Sequence, residues 1–485
     1  MNKRIVLSII GKILQTEAIL LVLPALVSLF YDETKSFWAF LITAAFTFAV
    51  GFLVMVIFKP KTDVIYAREG LVIVALAWIA LSLFGALPFY LSREIPNFID
   101  CIFEIVSGFT TTGSSILSDV ESLSHGSLLW RSFSHWIGGM GVLVFVTAII
   151  PNMSDRSMHI IRAEMPGPII GKLVPRVKDT SRVLYLIYIA MTVMEIVFLL
   201  FGGLDLFESA VLSFGTAGTG GFAVRNDGIA SYSPYVQWII TVFMLVFGIN
   251  FNLYYLCLLK RFKTAFKSEE LWTYIGIAVF ATGVITANLY FTMPQFSNLN
   301  DTIRSSAFHV ASLITTTGYS YGDFNMWPNL SKAILFILMF TGACAGSTAG
   351  GFKLSRVIIL FKTIKKECHR LIHPRSVKAI RFEGKALDDT TRHGVTAYLA
   401  IYSVCILGIF LLLSFDKFSF ESNFSAAVSC FNNIGPGFDA IGPTANFGGY
   451  SAFSKIILSV AMLLGRLEIY PLLLTFSIGT WKKSK

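Results

Sequence analysis

The sequence predicts an all-α integral membrane protein: four fused helix–pore loop–helix repeats around one pseudo-fourfold pore, plus an extra N-terminal helical hairpin. Three observations predict it. Of the 485 residues, 55% are hydrophobic and only 14% charged, with a mean hydropathy of +0.69, whereas soluble domains carry about a quarter charged residues. A short motif returns four times: Thr110-Thr111-Thr112-Gly113, Thr216-Ala217-Gly218-Thr219-Gly220, Thr315-Thr316-Thr317-Gly318 and Asn432-Asn433-Ile434-Gly435. Each copy follows an apolar stretch too short to cross a bilayer, and its last glycines are spaced by 107, 98 and 117 residues. Finally, lysine and arginine crowd onto alternate connecting segments, as the positive-inside rule requires.

Apolar runs of about 18 or more residues read as membrane helices, and a chain of this length has room for about ten plus loops. The first pair spans 5–31 and 37–58 and closes at Lys59-Pro60-Lys61, giving an N-terminal unit over 1–69. Repeat 1 (70–155) has a long helix at 71–92, a short one at 98–109 and a closing helix at 129–150. Repeat 2 (156–267) has these at 183–202, 204–215 and 235–259. Repeat 3 (268–385) has them at 271–292, 301–314 and 331–361, and repeat 4 (386–485) at 395–414, 421–431 and 453–480. That makes ten full spans and four half-spans.

The half-spans give the motif its physical meaning. A helix of about 10–14 residues rises only about 15–20 Å, against a hydrocarbon core of about 30 Å. Such a segment must enter, stop and return, and its free backbone is tolerated only where it is buried or lines a watery cavity. With the N-terminus cytoplasmic, the inner segments hold 30 of the 39 lysines and arginines, eight lie outside, and Arg466 lies within a span. Both termini are then cytoplasmic and every motif loop faces outward. The net charge of +10 is therefore an orientation signal, which removes nucleic acid as a partner.

The remaining bulk features exclude more than they assign. Cys101, Cys257, Cys344, Cys368, Cys405 and Cys430 show no CxxC or zinc-ligand spacing and read as packing residues. Lys12, Gln15 and Glu17 interrupt the first apolar run, so a cleavable signal peptide is not expected. Glu17, Glu195 and Glu468 stand alone in the spans with no HExxH or paired aspartates, so no enzyme is expected and no catalytic residue is assigned.

The loops suit a cation. A bare ion enters a low-dielectric site only if oxygens replace its water, and a ring of backbone carbonyls can supply them. Glycine permits the positive φ that aligns successive carbonyls, and the C-terminus of each short helix brings partial negative charge toward the loop. One Thr-Gly pair alone would be a capped turn; four at matching places argue for a filter. The candidate residues are Thr111, Thr112, Gly113, Thr219, Gly220, Thr316, Thr317, Gly318, Asn433, Ile434 and Gly435. The copies are unequal: Ser213 stands seven residues before Gly220, whereas Ser107, Ser312 and Ser429 stand six before their glycines, and Pro436 follows the fourth.

This plan, with FTTTGSS, TAGTGGF, TTTGYS and NNIGPGF, resembles the bacterial Trk/Ktr/HKT superfamily of potassium transporters, and the N-terminal hairpin makes it most similar to the TrkH type of membrane subunit. The resemblance implies potassium uptake across the bacterial inner membrane through a gated, K⁺-selective, channel-like pore. A glycine in all four loops implies K⁺ as the transported ion at the filter residues. It also implies a homodimer and a cytosolic nucleotide-binding regulatory subunit of the TrkA type; the nucleotide belongs to that partner, since this chain has no glycine-rich nucleotide motif and needs no cofactor of its own. A Na⁺- or H⁺-coupled secondary transporter of a cation or small solute stays the alternative.

Two features lie below the loops. Gly342, Gly346, Gly350 and Gly351, with Ser347 and Thr348 between them, weaken a mid-membrane helix by about 1 kcal/mol per glycine. They serve either small-residue packing or, as the resemblance implies, an unwound gating loop over 342–351 with Lys353 near the inner mouth. Arg466 costs about 2.5–3.5 kcal/mol at mid-membrane, so it faces a partner or a cavity. Either carbonyls between helices satisfy it, or, as the resemblance implies, its charge blocks the path at rest. Outside, Asp119, Glu121, Asp205, Glu208, Asp227, Asp301, Asp323 and Asp439 could concentrate cations or simply be solvated, while Glu104 and His309 are expected to be buried. The basic segment from Lys353 to Arg392 suits the inner membrane face and the cytosolic partner.

Overall fold

The computed structural model describes residues 1–60, 65–141, 177–375 and 379–481. The inner part of the first closing helix (142–150), the basic residues from Arg156 to Arg176, and Lys482 to Lys485 lie outside the described residues.

The N-terminal hairpin is Lys3–Leu20, continued by Val22–Phe30, against Thr34–Ile57. The two arms cross at Gly11 and Gly51, where a Cβ on either would fall 2.7 Å from the other's carbonyl oxygen. Such small-residue contacts let membrane helices approach closely. Its outer end is fastened to the first repeat. Glu33 Oε1 accepts from the His125 backbone N–H at 2.9 Å, and the Tyr31 ring stacks on His125 at 3.7 Å.

Four times the chain then runs through a long helix, a short buried helix, a loop and a closing helix. The long helices are Ala67–Gly85 (extended by Leu87–Ser92), Val177–Phe201, Glu269–Thr292 and Asp389–Leu413. The short pore helices are Phe98–Phe109, Leu206–Gly218, Leu299–Ile314 and Phe420–Asn432. Each starts on a polar cap: side-chain oxygens of Asn97, Asp205, Asn298 and Ser419 accept first-turn backbone N–H groups, satisfying donors that a helix start leaves open.

The closing helices differ from expectation. Continuous spans over 235–259, 331–361 and 453–480 are each broken. Pro234–Phe247 meets Phe251–Leu258 at 88°, and Ala452–Arg466 meets Tyr470–Phe476 at 120°. Asn329–Thr341 is followed by a non-helical stretch before Leu354–Ile372 begins. Six described helices are long and apolar enough to cross a membrane, or eight counting each bent pair as one span. The shortfall from ten reflects the break after Asn329–Thr341 and the fact that 142–150, expected to complete the first closing helix, lie outside the described residues.

Packing against the pore helices explains the position of the breaks. A Cβ on Gly138 would lie 1.8 Å from the Phe109 carbonyl oxygen, and one on Gly465 would lie 1.9 Å from that of Phe431. In the first and fourth repeats glycine is therefore required where the closing helix passes the end of its pore helix, and glycine weakens the helix there. Beyond that level the fourth closing helix bends by 120°.

Candidate functional site

All four pore helices end in the same hydrogen-bonded turn. The N–H groups of Thr112, Gly220, Thr317 and Ile434 donate to the carbonyls of Ser107, Gly215, Ser312 and Ser429 at 2.8–3.0 Å. One residue earlier, Thr111, Thr219, Thr316 and Asn433 donate to Gly108, Thr216, Leu313 and Cys430. This pair of bonds is the Schellman arrangement, which places its intervening residue in the left-handed region. Thr111, Thr219, Thr316 and Asn433 have φ of 55–56°. Glycine or asparagine usually fills that place, and a β-branched threonine there is strained. Strain held three times over by surrounding bonds is a mark of a functional site.

The turns deliver four glycines at positive φ: Gly113 (79°), Gly221 (74°), Gly318 (83°) and Gly435 (109°). A Cβ on Gly113 would lie 1.9 Å from the Gly220 carbonyl oxygen. For Gly221 the obstacle is Thr317 O at 2.0 Å, for Gly318 it is Ile434 O at 2.0 Å, and for Gly435 it is Thr112 O at 2.9 Å. The contacts run from repeat 1 to 2, 2 to 3, 3 to 4 and back to 1. The four loops thus close into one ring of backbone carbonyls around a common axis.

The ring also corrects the frame of the second loop. Gly221, not Gly220, holds the position of Gly113, Gly318 and Gly435, and Gly215, not Ser213, matches Ser107, Ser312 and Ser429. The adjacent Gly220-Gly221 pair hides this in the sequence, because either glycine completes a Thr–Gly motif. Gly220 takes the place of Thr112, Thr317 and Ile434. There a Cβ would fall 2.2 Å from the His135 ring, so the imidazole occupies the space a side chain would need. Thr110 with Thr112, and Thr315 with Thr317, form matching hydroxyl pairs at 2.7 and 2.8 Å, so repeats 1 and 3 are alike and repeats 2 and 4 depart from them.

On the side where the loops return, expected to face outward, the ring opens into a vestibule of about 150 Å³ lined by Gly113, Gly221, Gly318, Tyr319 and Gly435. Of the outer acids, Glu208 pairs with Arg225 at 3.0 Å, Asp301 with Arg304 at 2.7 Å, and Asp119 accepts from Asn226 at 2.8 Å. Asp439 accepts from Ser419 and Ser422, and those hydroxyls hold its carboxyl below the usual carboxylate range. Asp119 ties two loops together and Glu208 ties its helix to a loop, whereas the Asp301 pair lies within one helix. Glu104 and His309 are buried, as expected.

On the inner side is a cavity of about 60 Å³ lined by Gly139, Gly350, Lys353, Gly465, Arg466 and Glu468. The 342–351 stretch is non-helical, with positive φ at Gly342, Gly346 and Gly351 and also at Lys353 (74°). It is held from several sides. The Ala345 N–H donates to Glu270 Oε1 at 2.8 Å, the Gly350 N–H to Thr316 Oγ1 at 2.7 Å, and the Phe251 N–H to Gly346 O at 3.0 Å. Ser347 Oγ donates to Cys344 O at 2.6 Å, and the buried Lys353 ammonium donates to Ala349 O. Tight small-residue helix packing is thus excluded for this stretch, because it is not a helix.

Arg466 spans the cavity. Its guanidinium donates to Thr348 O at 2.9 Å, Gly138 O at 2.5 Å, Gly139 O at 2.6 Å and Thr111 Oγ1 at 3.2 Å. It thereby joins the last span, the third repeat's loop, the first closing helix and the strained Thr111. Carbonyls thus satisfy Arg466, and through Thr111 it touches a turn that carries the ring. Sequence reasoning missed Arg356, whose Nη2 lies 2.5 Å from Glu468 Oε2. An arginine just after a glycine-rich break was the available signal.

Comparison with known proteins matches this architecture. The family profile described as "TrkH: Cation transport protein" covers residues 37–483. The chain is 34% identical, over the full length of both, to the Trk system potassium uptake protein TrkH of Escherichia coli (strain K12). It is 32% identical to the Trk system potassium uptake protein TrkG of the same strain, with 99% of each chain covered. Among solved structures it is similar to the crystal structure of the potassium transporter TrkH from Vibrio parahaemolyticus, with TM-score 0.89, 30% identity, and 99% of this chain and all of that one covered. With its long apolar helices, its four pore helices and matches running from end to end, the chain is an integral membrane protein that belongs to the TrkH family of cation transport proteins.

Proposed function

We propose that this protein takes up K⁺ across the bacterial cytoplasmic membrane through a single gated, channel-like pore. The observation that carries the reading is the closed ring in which each repeat's glycine faces the next repeat's carbonyl. K⁺ is the cargo, and the oxygens that would replace its water belong to Thr111, Thr112 and Gly113, Thr219 and Gly220, Thr316, Thr317 and Gly318, and Asn433, Ile434 and Gly435, with Gly221 added by the frame of the second loop. Both relatives named above are potassium uptake proteins by name, which supports K⁺ over other cations.

The gate in this reading is the layer of Gly342, Gly346, Ser347, Thr348, Gly350, Gly351, Lys353 and Arg466. Arg466 places a positive charge on the path of a cation leaving the filter, and oxygen partners that include Thr348, Gly138, Gly139 and Thr111 hold it there. The division into an N-terminal hairpin (1–69) and repeats over 70–155, 156–267, 268–385 and 386–485 belongs to the same reading. So do cytoplasmic termini, a homodimer, and a cytosolic nucleotide-binding partner. Leu354–Ile372, with Lys365, Lys366 and Arg370, offers that partner a basic helix rooted in the gate.

Rescue of a potassium-uptake-deficient strain at low external K⁺ tests the function, and no rescue by well-expressed protein would refute it. Gly113→Ser tests the filter: uptake should collapse or the reversal potential between K⁺ and Na⁺ should shift, because its Cβ would meet the Gly220 carbonyl oxygen at 1.9 Å, and wild-type uptake with an unchanged reversal potential would remove Gly113 from it.

A further inference from the structure

Behind the ring, between the first and second loops, lies a buried ion pair. Arg131 Nε donates to Glu104 Oε1 at 2.8 Å, with the two side chains 2% and 0% exposed. Glu104 sits on the first pore helix and Arg131 on the first closing helix. The carboxylate also accepts from Ser115 Oγ at 2.9 and 3.1 Å and from the Ile116 N–H at 3.0 Å. Those residues directly follow the filter glycine Gly113 and its neighbour Ser114. The guanidinium reaches the other way: it stacks on the Phe222 ring at 4.0 Å and approaches Ala223 O at 3.5 Å. Phe222 follows the filter glycine Gly221, and its ring rests on His135, the residue that fills the space beside Gly220.

The other copies do without such a pair. The positions matching Glu104 are Leu212, His309 and Ala426, all buried, and in the fourth repeat the position matching Arg131 is Leu458. Apolar packing therefore holds that pore helix, and exchanging a buried ion pair for well-packed apolar groups is often neutral or stabilising. Stability alone does not explain charges here. What the pair has that Ala426 and Leu458 lack is reach: its hydrogen bonds and ring contact extend to the outgoing strands of two filter loops.

Resting on the filter reading above, we infer that Glu104 and Arg131 are positioning residues that hold the first and second filter loops in register and thereby set cation selectivity. The ring is made of backbone carbonyls, so selectivity depends on their spacing and number. With the pair gone, Ser115-Ile116 and Phe222-Ala223 lose their common anchor and the carbonyls of Thr112 and Gly220 are free to separate.

The test is the reversal potential of protein reconstituted in liposomes with K⁺ on one side and Na⁺ on the other. The wild type is compared with the uncharged double variant E104Q/R131M and with Arg131→Lys, which keeps the charge but loses the fork and the ring contact. The expected result is a several-fold fall in the K⁺-to-Na⁺ permeability ratio for the double variant, with Arg131→Lys between it and wild type. An unchanged ratio in the double variant overturns the inference. Should that variant not fold, Arg131→Lys decides, and a wild-type ratio in it overturns the inference equally. A wild type that itself shows no K⁺ preference would refute the filter reading, a distinguishable outcome.

Discussion

At the ring, four pore helices end in one hydrogen-bonded turn and each presents a glycine to its neighbour; in the layer beyond it, the described residues of the first, third and fourth repeats differ. There the first repeat contributes the carbonyls of Gly138 and Gly139, the third an unwound loop, and the fourth Arg466 and a break at Glu468 and Ile469, with φ of 54° and 67°. The difference has a physical source. Ring geometry comes from backbone bonds that many sequences can make, so Asn432-Asn433-Ile434-Gly435 builds the turn that Thr110-Thr111-Thr112-Gly113 builds. A block needs only one charge, and four symmetric arginines would repel one another. In the reading proposed above, selection of the ion favours near-equivalence, and control of its passage favours asymmetry.

The largest expected effect breaks the symmetric layer. Gly221→Ala puts a Cβ 2.0 Å from a backbone oxygen at φ +74°, a conformation costing about 1–2 kcal/mol before any clash. ⁸⁶Rb⁺ uptake should be abolished. Gly220→Ala should fail as well, but its obstacle is the His135 ring, so combining it with His135→Ala should recover uptake. Equal recovery of Gly221→Ala in the same background would refute the frame assigned to the second loop.

Next is the asymmetric layer. Hydrogen bonds to a charged group contribute about 1.5–3 kcal/mol each, and about 1.4 kcal/mol is tenfold in an equilibrium. Losing the four bonds of Arg466 should therefore raise basal flux of Arg466→Ala by at least about tenfold. Unchanged flux in folded protein would remove Arg466 from the gate. Glu468→Gln weakens one bond, to Arg356 on Leu354–Ile372. It should raise flux less and lower stability by about 1.5–3 kcal/mol, measured by thermal unfolding in detergent. An effect as large as that of Arg466→Ala would show that the ion pair, not the arginine, is the block.

The smallest effect lies at the outer mouth. Hydroxyls of Ser419 and Ser422 depress the pKa of Asp439, so the stabilisation it brings is complete above the ordinary carboxylate value of about 3.9 and is lost as pH falls through the lower folded value. Ser422→Ala should bring the loss to higher pH without touching K⁺ selectivity, as read by ¹³C NMR titration of the carboxyl.

Much of this was legible in the sequence. The pore helix Phe98–Phe109 matches the half-span read at 98–109, and the other three lie within a few residues, because half-length apolar segments and polar caps are local signals. The breaks at Gly248 and after Arg466 were not legible: those stretches are apolar enough to continue as helices, and only the pore-helix ends beside them explain why they stop. The second loop was misframed because Gly220 and Gly221 are chemically identical and only bonds to Gly215 and Thr317 tell them apart. Membrane class, fourfold plan and charge bias were settled by sequence alone, because lipid penalises every unpaired backbone group and every charge wherever they occur. The carbonyl ring, the oxygen partners of Arg466 and the Glu104–Arg131 pair were decided only by tertiary structure, because each depends on distances between residues on different helices.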